Sequence, residues 1–400
     1  MGEIEIYNRN SRIPTFLIFL AITVSSYNID IGFSLKPYMI VITLLTILRF
    51  SNLRFYRLTS FETLMFVFYI YYCSTGLLAK YPEYSIRLIM GIIIVLVSYI
   101  IFKDTLSRIS VQNIEKVILY VGIIFNVISL LLYIIGIYKL GFHLTGNQIQ
   151  SYGVVIDRNE PRLIGTFSDP NIFSVCNFIF FYYYLTHLKV KWSKLGLFLA
   201  TTTILLTLSR GAILAILFGI LIFFISSKLK TKIKLVIIGL LFIIGTLQFA
   251  NYFLGINVLD MITSRFESSA SDNGSGRLDL WEHGMILFES NPFFGIGLFN
   301  FRPYNMSEFG SSLYMHNTFL EVLTESGVIG ITLYLSMFIL LFISLYKGRL
   351  KDSNMTYLFL TLCSMTVLFT SLSMIINEVF FLFVALSWRY LLEAKSNYNK

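Results

Sequence analysis

Twelve apolar runs divide the 400-residue chain, near 13–27, 37–50, 61–79, 86–102, 117–138, 170–188, 194–209, 211–227, 232–250, 317–346, 355–375 and 377–392. A hydrocarbon core about 30 Å thick takes about 20 such residues per helical crossing. Backbone groups in lipid must close their hydrogen bonds internally, which makes a helix the natural spanning element here. Only 13% of the residues are charged and 56% are hydrophobic, against roughly 25% charged in a soluble domain. The pattern excludes a soluble enzyme. It predicts an all-α, polytopic integral membrane protein with about 12 transmembrane helices in one domain over 1–400.

Cys73, Cys176 and Cys363 fall inside apolar runs at no metal or redox spacing and read as small core hydrophobes, so no disulfide framework is expected. Residues 1–10 carry Glu3, Glu5 and Arg9, with no small-residue cleavage site after the first run, and no removable signal peptide is expected. With the N-terminus cytoplasmic, the inner segments hold 21 of the 31 basic residues, from Arg9 and Arg12 through Lys228–Lys234 to Lys347, Arg349 and Lys351. This obeys the positive-inside rule and places both termini in the cytoplasm. The net charge of +9 is then a matter of orientation, with no nucleic-acid footprint.

The two long connections, 139–169 and 251–315, both project to the periplasm or exterior. No ATP or nucleotide-sugar is available there, so chemistry on that side needs a donor already activated, most simply one linked to a lipid. Signatures of nucleotide binding, metalloprotease, dithiol and serine-hydrolase chemistry are all missing. Gly295-Ile296-Gly297 lacks a third glycine and reads as a turn. No His and carboxylate cluster has ligand spacing, and neither a metal nor a cofactor is expected.

What remains on the outer side is a set of arginines and one histidine. Arg162 stands in Pro161-Arg162-Leu163 ahead of Asp169-Pro170-Asn171, where Pro170 suits a helix start. It reads equally as a loop arginine paired with Asp157 or Glu160. Arg210 lies between two runs whose far ends, Lys194 and Lys228, are cytoplasmic. The helix available between them rises only about 50 Å, against about 60 Å for two full crossings. Arg210 therefore stays at or below the membrane surface, where an ionisable residue is a functional candidate or snorkels to headgroups.

Arg277 opens a predicted amphipathic helix on the membrane surface, with Leu280, Trp281, Met285, Leu287 and Phe288 on one face and Asp279, Glu282, His283 and Glu289 on the other. Free N–H groups and the helix dipole there add to the guanidinium as an anion site, or the arginine frays into solvent. Arg265 and Arg302 are weaker candidates from the same loop. His316 begins the next span and is followed by Glu321 and Glu325, acids that are costly in an apolar helix and usually functional.

Ser275-Gly276-Arg277 with Trp281, then Asn291-Pro292-Phe293-Phe294-Gly295-Ile296-Gly297, then His316-Asn317-Thr318-Phe319-Leu320 with Glu325-Ser326-Gly327-Val328-Ile329-Gly330, resemble the O-antigen ligase/polymerase superfamily of bacterial membrane glycosyltransferases. The segment from Arg162 to Asn171 and the Ser209-Arg210-Gly211 turn resemble that family's upstream arginine motifs. The resemblance implies a helical fold of the GT-C kind and a metal-independent, inverting transfer of an oligosaccharide from undecaprenyl pyrophosphate. The location it implies is the bacterial inner membrane, with the active site facing outward. Membrane lipids, a chain-length regulator and other polysaccharide export proteins are the partners it implies. On that reading Arg162, Arg210 and Arg277 stabilise the leaving pyrophosphate, Arg265 assists binding, and His316 is the candidate base. Alternatively His316 binds phosphate and Glu321, Glu325 or Glu282 is the base. Richness in Ile and Phe favours a repeat-unit polymerase over a ligase acting on lipid A-core. A flippase for the same lipid-linked sugar is the contrasting reading.

Overall fold

The computed structural model describes residues 12–30, 33–254, 257, 259–260, 263 and 276–398. The chain opens with α1 (Arg12–Thr23), a short hairpin of β1 (Ile29–Asp30) and β2 (Ser34–Leu35), and α2 (Pro37–Arg49). Then come α3 (Ser60–Thr75), α4 (Pro82–Ser107) and α5 (Val111–Lys139). Strands β3 (Ile149–Ser151), β4 (Val154–Asp157) and β5 (Glu160–Leu163) precede α6 (Pro170–Thr186), α7 (Ser193–Leu206), α8 (Arg210–Ser226) and α9 (Leu229–Leu254). After the second long connection come α10 (Arg277–Ser290), α11 (Phe301–Phe309), α12 (Thr318–Lys351), α13 (Thr356–Phe369) and α14 (Glu378–Tyr398).

Each of the twelve apolar runs falls on a helix, and the chain is predominantly helical. Among the described residues three helices, α4, α5 and α12, are long and apolar enough by length and composition to cross a membrane. Burial separates central helices from peripheral ones. Residues Val379 to Leu386 of α14 are all buried, as is every residue from Phe173 to Leu185 of α6, the mark of helices surrounded by others. On α4, by contrast, Ile86, Met90, Ile93 and Val97 form one exposed apolar stripe, too contiguous for a face that meets water. Helix α8 buries only Ala212, Ala215 and Gly219. This small-residue row admits close packing, with Ser364 of α13 donating to the Ala215 carbonyl at 2.7 Å.

The all-helical expectation is corrected in the first long connection, where β3, β4 and β5 form an antiparallel meander with Val154 opposite Leu163 and Val155 opposite Arg162. Arg158 and Asn159 make its second turn with φ of 56° and 62°, the geometry of a two-residue hairpin loop. Val154, Ile156 and Leu163 are buried on the protein side. Gly136 of α5 permits the approach, because a Cβ there would stand 2.5 Å from the Ser151 carbonyl oxygen. Tyr133 of α5 then donates to the Pro161 carbonyl at 2.9 Å, which fixes the strand carrying Arg162.

The surface helix also differs from expectation. Leu280 and Leu287 of α10 pack with Ile296, Phe301 and Met315, so this face is turned onto the protein, while Leu278, Met285 and Ile286 are exposed. Gly284 allows it, with Thr324 of α12 donating to its carbonyl at 3.1 Å.

One end of the bundle is built from paired charges. Asp104 receives Arg108 at 2.7 Å and Arg49 at 3.4 Å, and Arg389 donates to the Leu106 carbonyl at 3.0 Å. The N-termini of α6, α10 and α12 meet at the other end.

Candidate active site

A cavity of about 450 Å³ lies where those three N-termini converge. Its polar lining is Arg162, Asp169, Asn171, Arg277, Tyr314, His316, Glu321 and Ser373, over an apolar floor that includes Leu88, Phe299, Leu372 and Ile375. Arg162, Arg277, His316 and Glu321, expected from the sequence, are thus brought together from β5, α10, the entry to α12 and its first turn.

Arg162 is braced on two sides. Its Nη1 meets Asp157 Oδ2 at 2.9 Å, and its Nε donates to the Thr207 carbonyl at 3.0 Å. The ion pair with Asp157 is therefore present, and Arg162 faces the cavity from within it. Asp169 caps α6, accepting from Asn171 N at 2.7 Å and Ile172 N at 3.0 Å. It supplies the negative charge opposite the arginines.

Arg277 is half-buried at the start of α10. Burial lowers its pKa from the usual value, Asp169 opposes that, and Arg162 and Arg158 reinforce it. A guanidinium remains ionised under such a shift, so the cavity concentrates positive charge for an anion.

His316 is held in a left-handed backbone conformation, φ 50°. Such conformations are uncommon for residues other than glycine and gather at functional sites. The neighbours explain how it is kept there: Trp281 Nε1 donates to the Met315 carbonyl at 3.2 Å. On the other side Asn317 caps α12, accepting from Phe319 N at 3.1 Å and Leu320 N at 3.2 Å. Burial first, and then the Arg277 guanidinium, push the His316 pKa below its usual value, with Asp169 opposing. The imidazole is therefore neutral near pH 7. One turn into α12, Glu321 is 4% exposed, and its Oε2 has no hydrogen-bond partner among the described residues.

The other expected residues sit elsewhere. Arg210 is the first residue of α8, half-buried and not among those lining the cavity. Its neighbour Ser209 donates to Asn171 Oδ1, which ties that turn to the cavity wall. Glu282 is exposed on α10, away from the lining. Arg265 lies outside the described residues. Arg302 donates to the Ser312 carbonyl at 2.8 Å and to Tyr314 Oη at 3.1 Å, bracing the segment before His316. Glu325 is fully engaged. It accepts from Phe299 N at 2.8 Å, from Phe301 N at 3.0 Å and from the Tyr72 hydroxyl. Its carboxylate clamps the 291–301 segment to α12, one turn beyond the cavity.

Asp169, Asn171, Tyr314 and Ser373 were not singled out from sequence. Asp169 carries a signal, since Asp before Pro is a helix-start pattern, and Asn171 ends the 162–171 motif segment; Tyr314 and Ser373 carry none. Among the described residues no group of three or more His, Cys, Asp or Glu side chains is arranged to hold a metal ion.

No curated protein matches the chain. Residues 195–335 match the family model described as O-antigen ligase. The stretch runs from α7 through the first half of α12 and contains Arg210, Arg277, His316 and Glu321. That match, with the order of the motifs inside it, supports a likeness of residues 195–335 to the O-antigen ligase/polymerase superfamily.

Proposed function

We propose that the protein is a membrane glycosyltransferase that polymerises lipid-linked polysaccharide repeat units. It passes the growing chain from undecaprenyl pyrophosphate to an undecaprenyl-pyrophosphate-linked repeat unit at the outer face of the bacterial inner membrane. The proposal includes twelve crossings in a GT-C-like arrangement with both termini cytoplasmic, and it includes transfer with inversion and without a metal. Partners are the lipid-linked substrates, membrane lipids, a chain-length regulator and other export proteins.

One observation carries this reading: two arginines, a neutral imidazole and a buried, unpartnered carboxylate oxygen share one cavity. The acceptor hydroxyl oxygen attacks the anomeric carbon while the bond to the pyrophosphate oxygen breaks, and the electron pair leaves with the pyrophosphate. The proton of the acceptor hydroxyl passes to His316, which is neutral at physiological pH and so able to accept it. Arg162 and Arg277 meet the charge that builds on the departing pyrophosphate, with planar donors held in place in advance. Glu321 Oε2 is the acceptor for a sugar hydroxyl. Tyr314 and Phe299 wall the same space.

With His316 as base, kcat/KM rises with pH through a value below 6.5 and is flat above it, because protonation removes the base. In His316→Gln the acid limb disappears along with most of the activity. A limb that persists in this variant assigns the base elsewhere, with Glu321→Gln the next to examine.

The decisive experiment incubates purified protein, in detergent with EDTA, with undecaprenyl-pyrophosphate-linked repeat units alone. A ladder of longer lipid-linked chains is the expected product. Product that forms only when a second acceptor such as lipid A-core is added makes the protein a ligase, the reading that the matched family's description favours. No product in either case overturns the proposal.

A further inference from the structure

Phe299 and Tyr314 line the same cavity as Arg162, Arg277 and His316, and their rings lie side by side, with centroids 5.9 Å apart at 31°. Each is held in place by a charged residue that does not itself line the cavity. Phe299 has φ 56°, a left-handed conformation that costs free energy in any residue but glycine and persists only where the surroundings over-determine it. The Glu325 carboxylate does so here, accepting from Phe299 N at 2.8 Å and from Phe301 N at 3.0 Å. Asn300, between them, is locked as well. Its Oδ1 accepts from Tyr81 N at 2.9 Å, and its Nδ2 donates to the Leu298 carbonyl at 2.9 Å.

Tyr314 is held by Arg302, near the start of α11. The guanidinium donates from Nη1 to the Tyr314 hydroxyl at 3.1 Å and from Nε to the Ser312 carbonyl at 2.8 Å. Its central carbon stands 4.9 Å from the centre of the Tyr314 ring. The hydrogen bond and the cation–π contact together favour one orientation of that ring. Two restrained aromatic rings beside hydrogen-bonding groups suit a particular class of ligand. A pyranose ring carries C–H bonds on its faces and hydroxyls around its rim. The electron-rich face of an aromatic ring attracts the C–H bonds. Glu321, whose Oε2 has no hydrogen-bond partner among the described residues, accepts from a hydroxyl.

We propose, on the basis of the glycosyltransferase reading above, that Phe299 and Tyr314 form a sugar-binding platform, with Arg302 as its positioning residue. The pyranose ring attached to the pyrophosphate lies against the two aromatic rings while the pyrophosphate meets Arg162 and Arg277. Undecaprenyl pyrophosphate, the product left after transfer, has no sugar to place there. The platform therefore favours the loaded lipid over the spent one.

Elongation kinetics of the full-length protein in detergent test the proposal. The substrate is undecaprenyl-pyrophosphate-linked repeat unit extracted from host cells lacking the protein, and undecaprenyl pyrophosphate serves as competing inhibitor. Tyr314→Leu is expected to raise KM roughly three- to tenfold while Ki for undecaprenyl pyrophosphate stays within about twofold. Arg302→Gln shows the same selective rise, because the ring loses both restraints. Tyr314→Phe keeps the ring under the guanidinium and retains a KM within about twofold of wild type. Arg302→Gln leaves both rings in the chain and carries the test if Tyr314→Leu fails to accumulate. Parallel rises in KM and Ki assign the rings to the polyprenyl chain or to the scaffold. That result, an unchanged KM in Tyr314→Leu or Arg302→Gln, or a Tyr314→Phe variant as impaired as Tyr314→Leu overturns the proposal while glycosyl transfer stands. Absence of elongation by the wild-type protein overturns the glycosyltransferase reading and this inference with it.

Discussion

Arg277→Ala is expected to slow chain elongation by about two to three orders of magnitude, the usual effect of removing one preorganised donor to developing charge. The protein should remain at normal abundance in the membrane. Arg277 opens α10 and lines the cavity beside Arg162, Asp169 and His316. Its charge is disfavoured there by burial and by Arg162 and Arg158. On the proposed function, an arriving pyrophosphate relieves those penalties, and the guanidinium then binds most tightly when the leaving group carries most charge. A second signature belongs to this site. Arg277 lowers the His316 pKa, so the residual activity of Arg277→Ala should show its acid limb at higher pH than the wild type. Arg277→Lys keeps the charge without the planar fork and should fall between the two. Initial rates from product ladders, with membrane levels by immunoblot, decide the matter. Near-wild-type chain lengths in Arg277→Ala would remove this residue from the mechanism.

Gly327→Ala is expected to abolish activity by a different route, through the scaffold. Gly327 breaks α12 with φ 66° and ψ −167°, a region open essentially to glycine alone, where another residue costs on the order of 1–3 kcal/mol. A Cβ at this position would also lie 2.2 Å from the Phe293 carbonyl oxygen and 2.6 Å from Phe294 N. Those are backbone atoms, which cannot rotate aside. The kink frees the groups that hold the 291–301 segment. Ile296 N donates to the Thr324 carbonyl and Gly297 N to the Glu325 carbonyl, each at 3.0 Å, and Val328 N donates to the Pro292 carbonyl at 2.8 Å. Pushing that segment away displaces Phe299 from the cavity wall. The expected result is a melting temperature in detergent lowered by several degrees, together with loss of elongation. Gly239→Ala is the control, since a Cβ there meets nothing within 4 Å. As a helix-interior change it should be neutral or slightly stabilising. If both variants behave alike, the kink is not what shapes the site.

The helices were legible because hydrophobic runs report burial or lipid exposure locally, residue by residue. The runs at 170–188 and 211–227 correspond to α6 and α8 to within two residues at each end. The meander at 149–163 was not legible. Its three short strands are stabilised by packing Val154, Ile156 and Leu163 onto α5, and nothing within the segment announces that neighbour. Arg162, Arg277, His316 and Glu321 were legible as charged or titratable groups close to apolar runs, where such groups need a reason to be present. Glu325 looked the same by that test. Only its distant partners, Tyr72, Phe299 and Phe301, separate a clamp from a cavity-lining acid. Asp169 was legible as a helix cap, but its position facing Arg277 depends on two segments over 100 residues apart.

The cavity floor at Leu372 and Ile375 comes from the turn between α13 and α14, near the end of the chain. Chains enter a bilayer from the N-terminus onward, so the arginines, the histidine and Glu321 are all in place before the surface beneath them exists. A chain halted before residue 372 carries Arg162, Arg277, His316 and Glu321 but lacks Ser373 and the floor at Leu372 and Ile375. On the function proposed above, the floor that closes the pocket is thus made last, after every group proposed to touch the pyrophosphate.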